Sequence, residues 1–307
     1  MVQIRRASCM DVSNTVDVTD PAAVSSAVQA ILRERFVHYD FSLIDVLVAD
    51  FSRLYGGTFP GFRACELPYH DSQHVLDVTL AMARLLDGHE AAPGKEGPLG
   101  PDLALAGIAA ALFHDSGYIR RIRDNRNKNG AAYTRIHVKR GARFLADYLP
   151  GVGLQDLVGV CTRIIHFTGY QTDPRNLPVA NEQERCLGAL LGTADLIAQM
   201  ADVEYVRKCR DHLYEEFEIG GIAGERGDGL EDGTVIRSAE HLLETTPEFI
   251  RKTIEVRLDG QFAGAHQYAA RFFGGSHLYM DAILDNCHRL QALLSGDTPV
   301  LTSARLP

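Results

Sequence analysis

Two features that mark many secreted and membrane proteins are missing from this chain of 307 residues. Its six cysteines include no CxxC pair and no two that are closely spaced, so free thiols in a reducing compartment are indicated. No apolar run approaches the roughly 18 residues that a membrane-spanning helix needs. Residues 1–20 also lack the apolar core of a signal peptide. We therefore expect a cytoplasmic protein that does not associate with membranes.

Positive charge is also scarce, since the formal net charge is -9. A protein held on duplex nucleic acid by phosphate contacts needs a basic surface, so we expect no such partner. A small phosphorylated substrate stays compatible with this charge because a bound metal ion supplies positive charge locally. A chain of this length folds around its own core without a structural metal, so any metal is expected to serve chemistry.

The secondary-structure signals are almost all helical, with no strand-rich region and no internal repeat. Asp20-Pro21 is a typical helix start, and Val24, Val28 and Leu32 follow at helical spacing. Helices are predicted over 20–39, 42–54, 70–86, 103–114, 134–148, 154–167 and 182 to about 217, with two or three more ending near 294. Loops are predicted over 56–68, 88–101 and 220–233, the last a candidate lid. The fold class predicted is all-α, with one domain over 20–296 between flexible tails at 1–19 and 297–307.

The most informative segment is an apolar stretch that ends in His114-Asp115-Ser116-Gly117. An ionisable pair at the end of a buried helix costs free energy unless it is paired or bound to a metal. Imidazole and carboxylate together suit Zn, Mn or Fe, and carboxylate also suits Mg. A helix C-terminal cap with a charge pair is the alternative interpretation.

A second segment, Tyr69 to Val78, contains His70 and His74 four residues apart, which places both on one helix face. The two imidazoles need not share a role. Asp77 follows His74 closely enough to accept a hydrogen bond from a histidine ring. A polar helix face without a ligand is the alternative.

Asp195 stands inside the apolar run 190–197, where a carboxylate requires a cation, an arginine or backbone donors. His137 and His166 each lie in or after apolar helical segments, and each alone is compatible with an ordinary core or surface histidine. The basic run 120–128 is interpreted either as a solvated loop or as a phosphate-binding rim.

Taken together, these segments resemble the HD-domain metal-dependent phosphohydrolase superfamily. Tyr69-His70-x-x-x-His74-x-x-Asp77-Val78 is similar to the YHNxxHAxDV signature of class I cyclic-nucleotide phosphodiesterases, and the resemblance runs from about Tyr69 to Met200. It implies a single HD-domain/PDEase-like helical bundle. The chain differs from that pattern at Asp71 and Val75, and no late Gln-x-x-Phe purine clamp is found, so the substrate stays open.

The resemblance also implies a role for each matched residue. The ligands of a first metal ion would be His74, His114, Asp115 and Asp195. Asp115 would also touch a second ion, and His70 would act as the general acid at the leaving-group oxygen. His137 and His166 are similar to the extra histidines of the HD-GYP branch that bind the second metal, although Ser116-Gly117-Tyr118 stands where a GYP tripeptide would be expected.

We therefore expect two divalent metal ions as cofactors, of Zn, Mn, Fe or Mg, and no organic cofactor. Two such ions roughly 3.5–4 Å apart can hold a bridging hydroxide that attacks a phosphoester. The expected activity is that of a phosphodiesterase acting on a small phosphorylated substrate such as a cyclic nucleotide. An HD-domain di-iron oxygenase and a non-catalytic metal-binding sensor module are the alternatives. The sequence leaves open whether the protein forms a homodimer.

Overall fold

The computed structural model describes residues 6–92, 97–225, 227–230 and 233–296. Within these ranges the chain is helical and contains isolated β-bridges but no β-strand, which confirms the all-α prediction. Its α-helices are α1 (Pro21–Arg35), α2 (Leu43–Tyr55), α3 (Ser72–Ala91), α4 (Gly100–Phe113), α5 (His137–Tyr148), α6 (Val158–Ile164), α7 (Glu182–Ala201), α8 (Tyr205–Lys208), α9 (Tyr214–Ile219), α10 (Ala239–Lys252), α11 (Gln267–Phe272) and α12 (Leu278–Ser295). Short 3₁₀ and π-helical segments connect several of them.

Helix α3 lies at the centre of the bundle and packs against α1, α4, α7 and α11. It begins at Asp71, whose carboxylate accepts a hydrogen bond from the backbone N–H of His74 at 2.9 Å. Asp and Asn cap helices almost equally well, so Asp71 suits this position as well as an Asn would.

The predicted end of this helix near residue 86 was wrong, because α3 continues to Ala91 through Gly88. A β-carbon at Gly88 would lie 1.9 Å from the carbonyl oxygen of Tyr268. Glycine therefore serves close packing of α3 against α11 rather than chain reversal. Residues 93–96 of the predicted loop lie outside the described ranges.

Helix α4 confirms the prediction of a buried apolar helix, since every residue from Ala104 to Phe113 is buried. From Ala104 to Phe113 the helix has no polar face, which is typical of a helix surrounded by others. The helix ends directly before His114 and Asp115. Packing in the core thus fixes where this pair of side chains is presented.

The long helix predicted over 182–217 is broken after Ala201, and the segment Tyr205–Ile219 continues at an angle of 93°. The side-chain amide of Asn286 donates to the carbonyl oxygens of Met200 and Asp202, both at 2.8 Å, and satisfies backbone groups at the break. Among the described residues, no single helix is long and apolar enough to cross a membrane, and only this bent pair reaches that length and composition when its two parts are combined. The predicted helix 154–167 is likewise divided, with α6 between two 3₁₀ turns.

The segment before α1, predicted as a loose tail, packs onto the bundle where it is described. Asp11 and Val18 are buried. The Asp11 carboxylate accepts hydrogen bonds from the backbone N–H groups of Thr15 and Val16 and from Arg84 at 2.6 Å. The predicted tail at 297–307, like residues 1–5 and parts of the candidate lid (226 and 231–232), lies outside the described residues. A lid function for 220–233 stays a prediction.

Candidate metal centre

Four of the predicted ligands converge from three helices. Nε2 of His74, on α3, lies 3.6 Å from Oδ2 of Asp115 and 3.4 Å from Oδ1 of Asp195, on α7. Nε2 of His114, at the end of α4, lies 3.3 Å and 3.7 Å from the same two oxygens. The two imidazole nitrogens and the two carboxylate oxygens therefore face a common point, as ligands of one ion would.

The cluster contains polar atoms that the protein itself does not satisfy. Nδ1 of His114 donates to the carbonyl oxygen of Ala111 at 2.8 Å, which directs Nε2 towards the carboxylates. Within the described part of the chain, Nε2 of His114 and Oδ2 of Asp115 are buried and have no hydrogen-bond partner. Leaving such atoms unpaired costs roughly 1–3 kcal/mol each, so the donor set fits a divalent cation.

The charges of the cluster lead to the same conclusion. Burial opposes a charge on His114, but the neighbouring Asp115 carboxylate raises the pKa of His114 to about 9. The buried Asp115 and the half-buried Asp195 thus demand positive charge, which either protons on the imidazoles or a cation can provide. Metal binding at such sites displaces those protons, so we expect affinity to rise with pH.

His137 approaches the other side of the same carboxylate. Its Nε2 lies 3.7 Å from Oδ1 of Asp115, and its Nδ1 donates to the carbonyl oxygen of Thr134 at 2.6 Å. Asp115 therefore faces His74 and His114 with one oxygen and His137 with the other. This is the arrangement required of a carboxylate shared by two ions.

Two glycines permit this approach of α5 to the end of α4. A β-carbon at Gly117 would lie 1.8 Å from the carbonyl oxygen of His137, and one at Gly141 would lie 2.9 Å from that of His114. Any side chain at Gly117 would push His137 away from Asp115. Sequence reasoning missed this function, because a glycine after His-Asp is equally typical of a helix end.

The structure does not bring His166 into the same contacts. This half-buried residue lies in the 3₁₀ turn Ile165–Thr168, and neither of its nitrogens is within 4.0 Å of a carboxylate oxygen among the described residues. Burial and the charge of Lys139 lower the pKa of His166, which favours the neutral form that ligates metals. Its assignment to a second ion stays a prediction.

His70, the predicted acid, is held by a residue that sequence reasoning did not find. Nδ1 of His70 lies 2.5 Å from Oε2 of Glu216, and Oε1 of Glu216 accepts the backbone N–H of Tyr69 at 2.8 Å. Burial opposes a charge on His70, but Glu216 raises its pKa to about 8. Glu216 lies beyond the 93° break, 146 residues away, and its position in an acidic stretch gives no signal of this contact.

The ring of Tyr118 separates the two histidines that do not belong to the four-residue cluster. It stacks on His70 at a centroid distance of 4.6 Å and on His137 at 4.3 Å. Tyr118 is itself buried. Because one aromatic ring lies between them, His70 and His137 keep a fixed separation.

Two other expectations have different outcomes. Asp77, expected to accept from a histidine ring, instead has one carboxylate oxygen without a hydrogen-bond partner, and burial followed by the charge of Asp202 raises its pKa to about 7. It lines a cavity of about 20 Å³ together with His74, enough for one water.

In the basic run, Arg120 is buried and bonded to Glu66 at 2.6 Å, so this residue is structural and not part of a phosphate-binding rim.

The chain is similar in structure to the phosphodiesterase domain of the RhoPDE fusion protein from the choanoflagellate Salpingoeca rosetta. The TM-score is 0.57 at 16% sequence identity, and the alignment covers 96% of this chain and 97% of that chain. No family model and no curated protein matches the sequence. The likeness therefore shows the fold, which is that of a phosphodiesterase-type helical domain.

Proposed function

We propose that the protein is a metal-dependent phosphodiesterase that hydrolyses a small phosphodiester such as a cyclic nucleotide. The observation that carries this proposal is the buried group of His74, His114 and Asp115, with the half-buried Asp195 beside it and the charged His70 nearby. Two of its atoms, Nε2 of His114 and Oδ2 of Asp115, have no hydrogen-bond partner among the described residues. The likeness of the fold to a phosphodiesterase domain supports it.

The four clustered side chains would hold a first ion, and Oδ1 of Asp115 with His137 would face a second, for which His166 stays a candidate ligand. When bound, divalent cations neutralise the phosphate oxygens and activate the water that attacks phosphorus. The protein contributes a pocket in which the imidazoles of His114 and His137 are each oriented by a hydrogen bond from Nδ1 to a backbone carbonyl oxygen.

His70 supplies the proton. Glu216 holds Nδ1 and keeps the ring charged at neutral pH, so Nε2 can give its proton to the leaving oxygen as the P–O bond breaks. The Glu216 carboxylate then remains beside the neutral ring and favours its reprotonation.

The direct test is hydrolysis of bis(p-nitrophenyl) phosphate and of cyclic nucleotides with added Mn or Mg. We expect activity that is abolished by a chelator and by either His114→Ala or Asp115→Ala, while Val37→Ala, a change at an exposed side chain, keeps it. Activity that survives both ligand substitutions contradicts the proposal. Oxygen consumption without phosphate release indicates the oxygenase alternative, and bound metal with neither reaction indicates the sensor module.

The role of His70 has its own test. His70→Asn should lower kcat for cyclic nucleotides by roughly 10²–10⁴-fold without changing metal content, because general acids typically contribute that much. The loss should be much smaller for bis(p-nitrophenyl) phosphate, whose leaving group needs no proton. The control is His38→Asn, at an exposed histidine. Equal losses on both substrates contradict the assignment.

A further inference from the structure

A second arrangement of titratable side chains lies on α3 and α7, away from the metal cluster. Sγ of Cys186 is 3.3 Å from Nε2 of His89, which is completely buried. Along α3, His89 follows the ligand His74 by 15 residues, about 22 Å of helix. This contact therefore belongs to neither the metal centre nor the acid.

The other nitrogen of His89 faces a carboxylate. Nδ1 has no hydrogen-bond partner among the described residues and lies 3.5 Å from Oε1 of Glu90, whose side chain is also buried. The backbone N–H of Leu99 donates to the same oxygen at 2.7 Å and fixes its position. Despite burial, His89 and the Leu99 N–H hold the pKa of Glu90 below its usual value. The ring of Tyr268 packs edge-on against His89.

Thiol, imidazole and carboxylate thus follow one another in the order that activates a cysteine nucleophile. We propose that Cys186 is a reactive thiol and a site of modification by small electrophiles, of which peroxide is the biological class. Cys186 is half-buried, unlike the completely buried His89 beside it.

The reaction balances with these groups alone and the peroxide. The Sγ proton moves to Nε2 of His89, and the charged ring is stabilised by Glu90 at Nδ1. The thiolate attacks one peroxide oxygen, an S–O bond forms as the O–O bond breaks, and the leaving hydroxide takes the proton from His89. The cysteine is oxidised to a sulfenic acid, and the peroxide is reduced to water.

Other cysteines of the chain provide the internal contrast. Burial raises the pKa of Cys65, Cys161 and Cys209 to about 12, which keeps these thiols protonated and unreactive. Burial also raises the pKa of Cys287, which is half-buried like Cys186. Cys287 is therefore the reference of matched accessibility.

The experiment measures alkylation of the folded, full-length protein by iodoacetamide at pH 7, cysteine by cysteine, by peptide mass spectrometry. We expect Cys186 to react about 10-fold faster than Cys287, because an unactivated thiol is only a few per cent ionised at this pH. His89→Gln should make the alkylation rates of Cys186 and Cys287 equal. Glu90→Gln should lower the ratio of the two rates from about 10 to about 3, which is half of it on a logarithmic scale. A dimedone probe after hydrogen peroxide treatment should label the same residue.

Equal rates for Cys186 and Cys287 in the wild-type protein overturn the proposal, as does a rate at Cys186 that His89→Gln leaves unchanged. If His89→Gln does not fold, the wild-type ratio and the Glu90→Gln variant decide. Phosphodiester hydrolysis is measured separately, so failure here leaves the proposed function untouched.

Discussion

Helix α3 carries two buried polar clusters, about 15 Å apart along its axis, that differ in one respect. At His74 the cluster leaves Nε2 of His114 and Oδ2 of Asp115 without hydrogen-bond partners in the described part of the chain, and these two atoms lie 3.3 Å apart. At Arg84 the carboxylate of Asp11 accepts hydrogen bonds from Ser13, Thr15, Val16 and the guanidinium. The atom left without a partner there, among the described residues, is Nε of the arginine, which is a donor and cannot ligate a metal.

The difference distinguishes a buried charge that stabilises the fold from a buried charge that is left available to bind an ion. A buried ion pair whose acceptor is fully hydrogen-bonded needs nothing further, and its removal damages the fold. A buried group of acids and imidazoles with free lone pairs still needs positive charge, which protons on the imidazoles or a cation from outside can supply. The following substitutions test whether the two clusters differ in this way.

The largest expected effect is on the saturated cluster, which is the group of Arg84, Asp11 and the donors around the Asp11 carboxylate. Arg84→Met should lower the free energy of unfolding by about 3–5 kcal/mol, because it leaves the Asp11 carboxylate buried without its charge partner. Urea unfolding with and without Mn measures it. A loss below about 1 kcal/mol, the range of exposed pairs, would show that this ion pair is not structural. Asp11→Asn is the milder variant if the first does not fold.

The next effect concerns the open cluster, which is the group of His74, His114, Asp115 and Asp195. Mn at about 100 times its dissociation constant should stabilise the wild-type protein by about 2.7 kcal/mol. Asp115→Asn should abolish that gain, whereas Arg84→Met should retain it, since Arg84 faces Asp11 and Tyr279 instead of the metal-facing atoms. Thermal unfolding at several Mn concentrations provides the measurement. The comparison fails if both variants respond to Mn alike.

A smaller effect is expected from the residue that holds the acid. Glu216→Gln should lower kcat/KM about 10–100-fold, as loss of a group that orients a functional histidine does. Glu216 raises the pKa of His70 to about 8, so activity should fall as pH rises through that value. Without the carboxylate this descending limb should move to lower pH. The matched control is Glu215→Gln, at the exposed neighbour. An unshifted limb would falsify the role of Glu216.

The smallest effect is the pH dependence of the saturated cluster. Although burial alone would raise it, Arg84 and the hydrogen bonds lower the pKa of Asp11 from 3.8 to about 2. Stability from this group is therefore complete above pH 3.8 and is lost as pH falls through about 2, in total about 2 kcal/mol. Unfolding between pH 5 and 2 should show the wild-type protein losing this advantage over Asp11→Asn. Parallel pH curves for the two proteins would contradict the assignment.

The parts of the site that could be predicted are those with a local signal. His70, His74, His114 and Asp115 lie in short segments where helical spacing or an apolar run makes a polar side chain conspicuous, and Asp195 interrupts an apolar helix. The structure brings the last four together, while their binding of metal stays a prediction.

The parts that could not be predicted depend on contacts between distant segments. Glu216 reaches His70 only because the chain turns by 93° after α7, and Gly117 matters only because α5 approaches its backbone. The extension of α3 beyond Gly88 depends on Tyr268 in the same way. Hydrophobic periodicity describes a helix in isolation and contains no information on such neighbours.

The break after Ala201 links the position of Asp195 to that of Glu216. Asp195 lies on one arm of the bent segment and Glu216 on the other. The angle between the two arms therefore fixes the distance between Asp195, a proposed metal ligand, and Glu216, which holds the proposed acid His70. A ligand or substitution that opened this angle by a few degrees would weaken the contact of Glu216 with His70, the proposed acid, while leaving the proposed metal ligands in place.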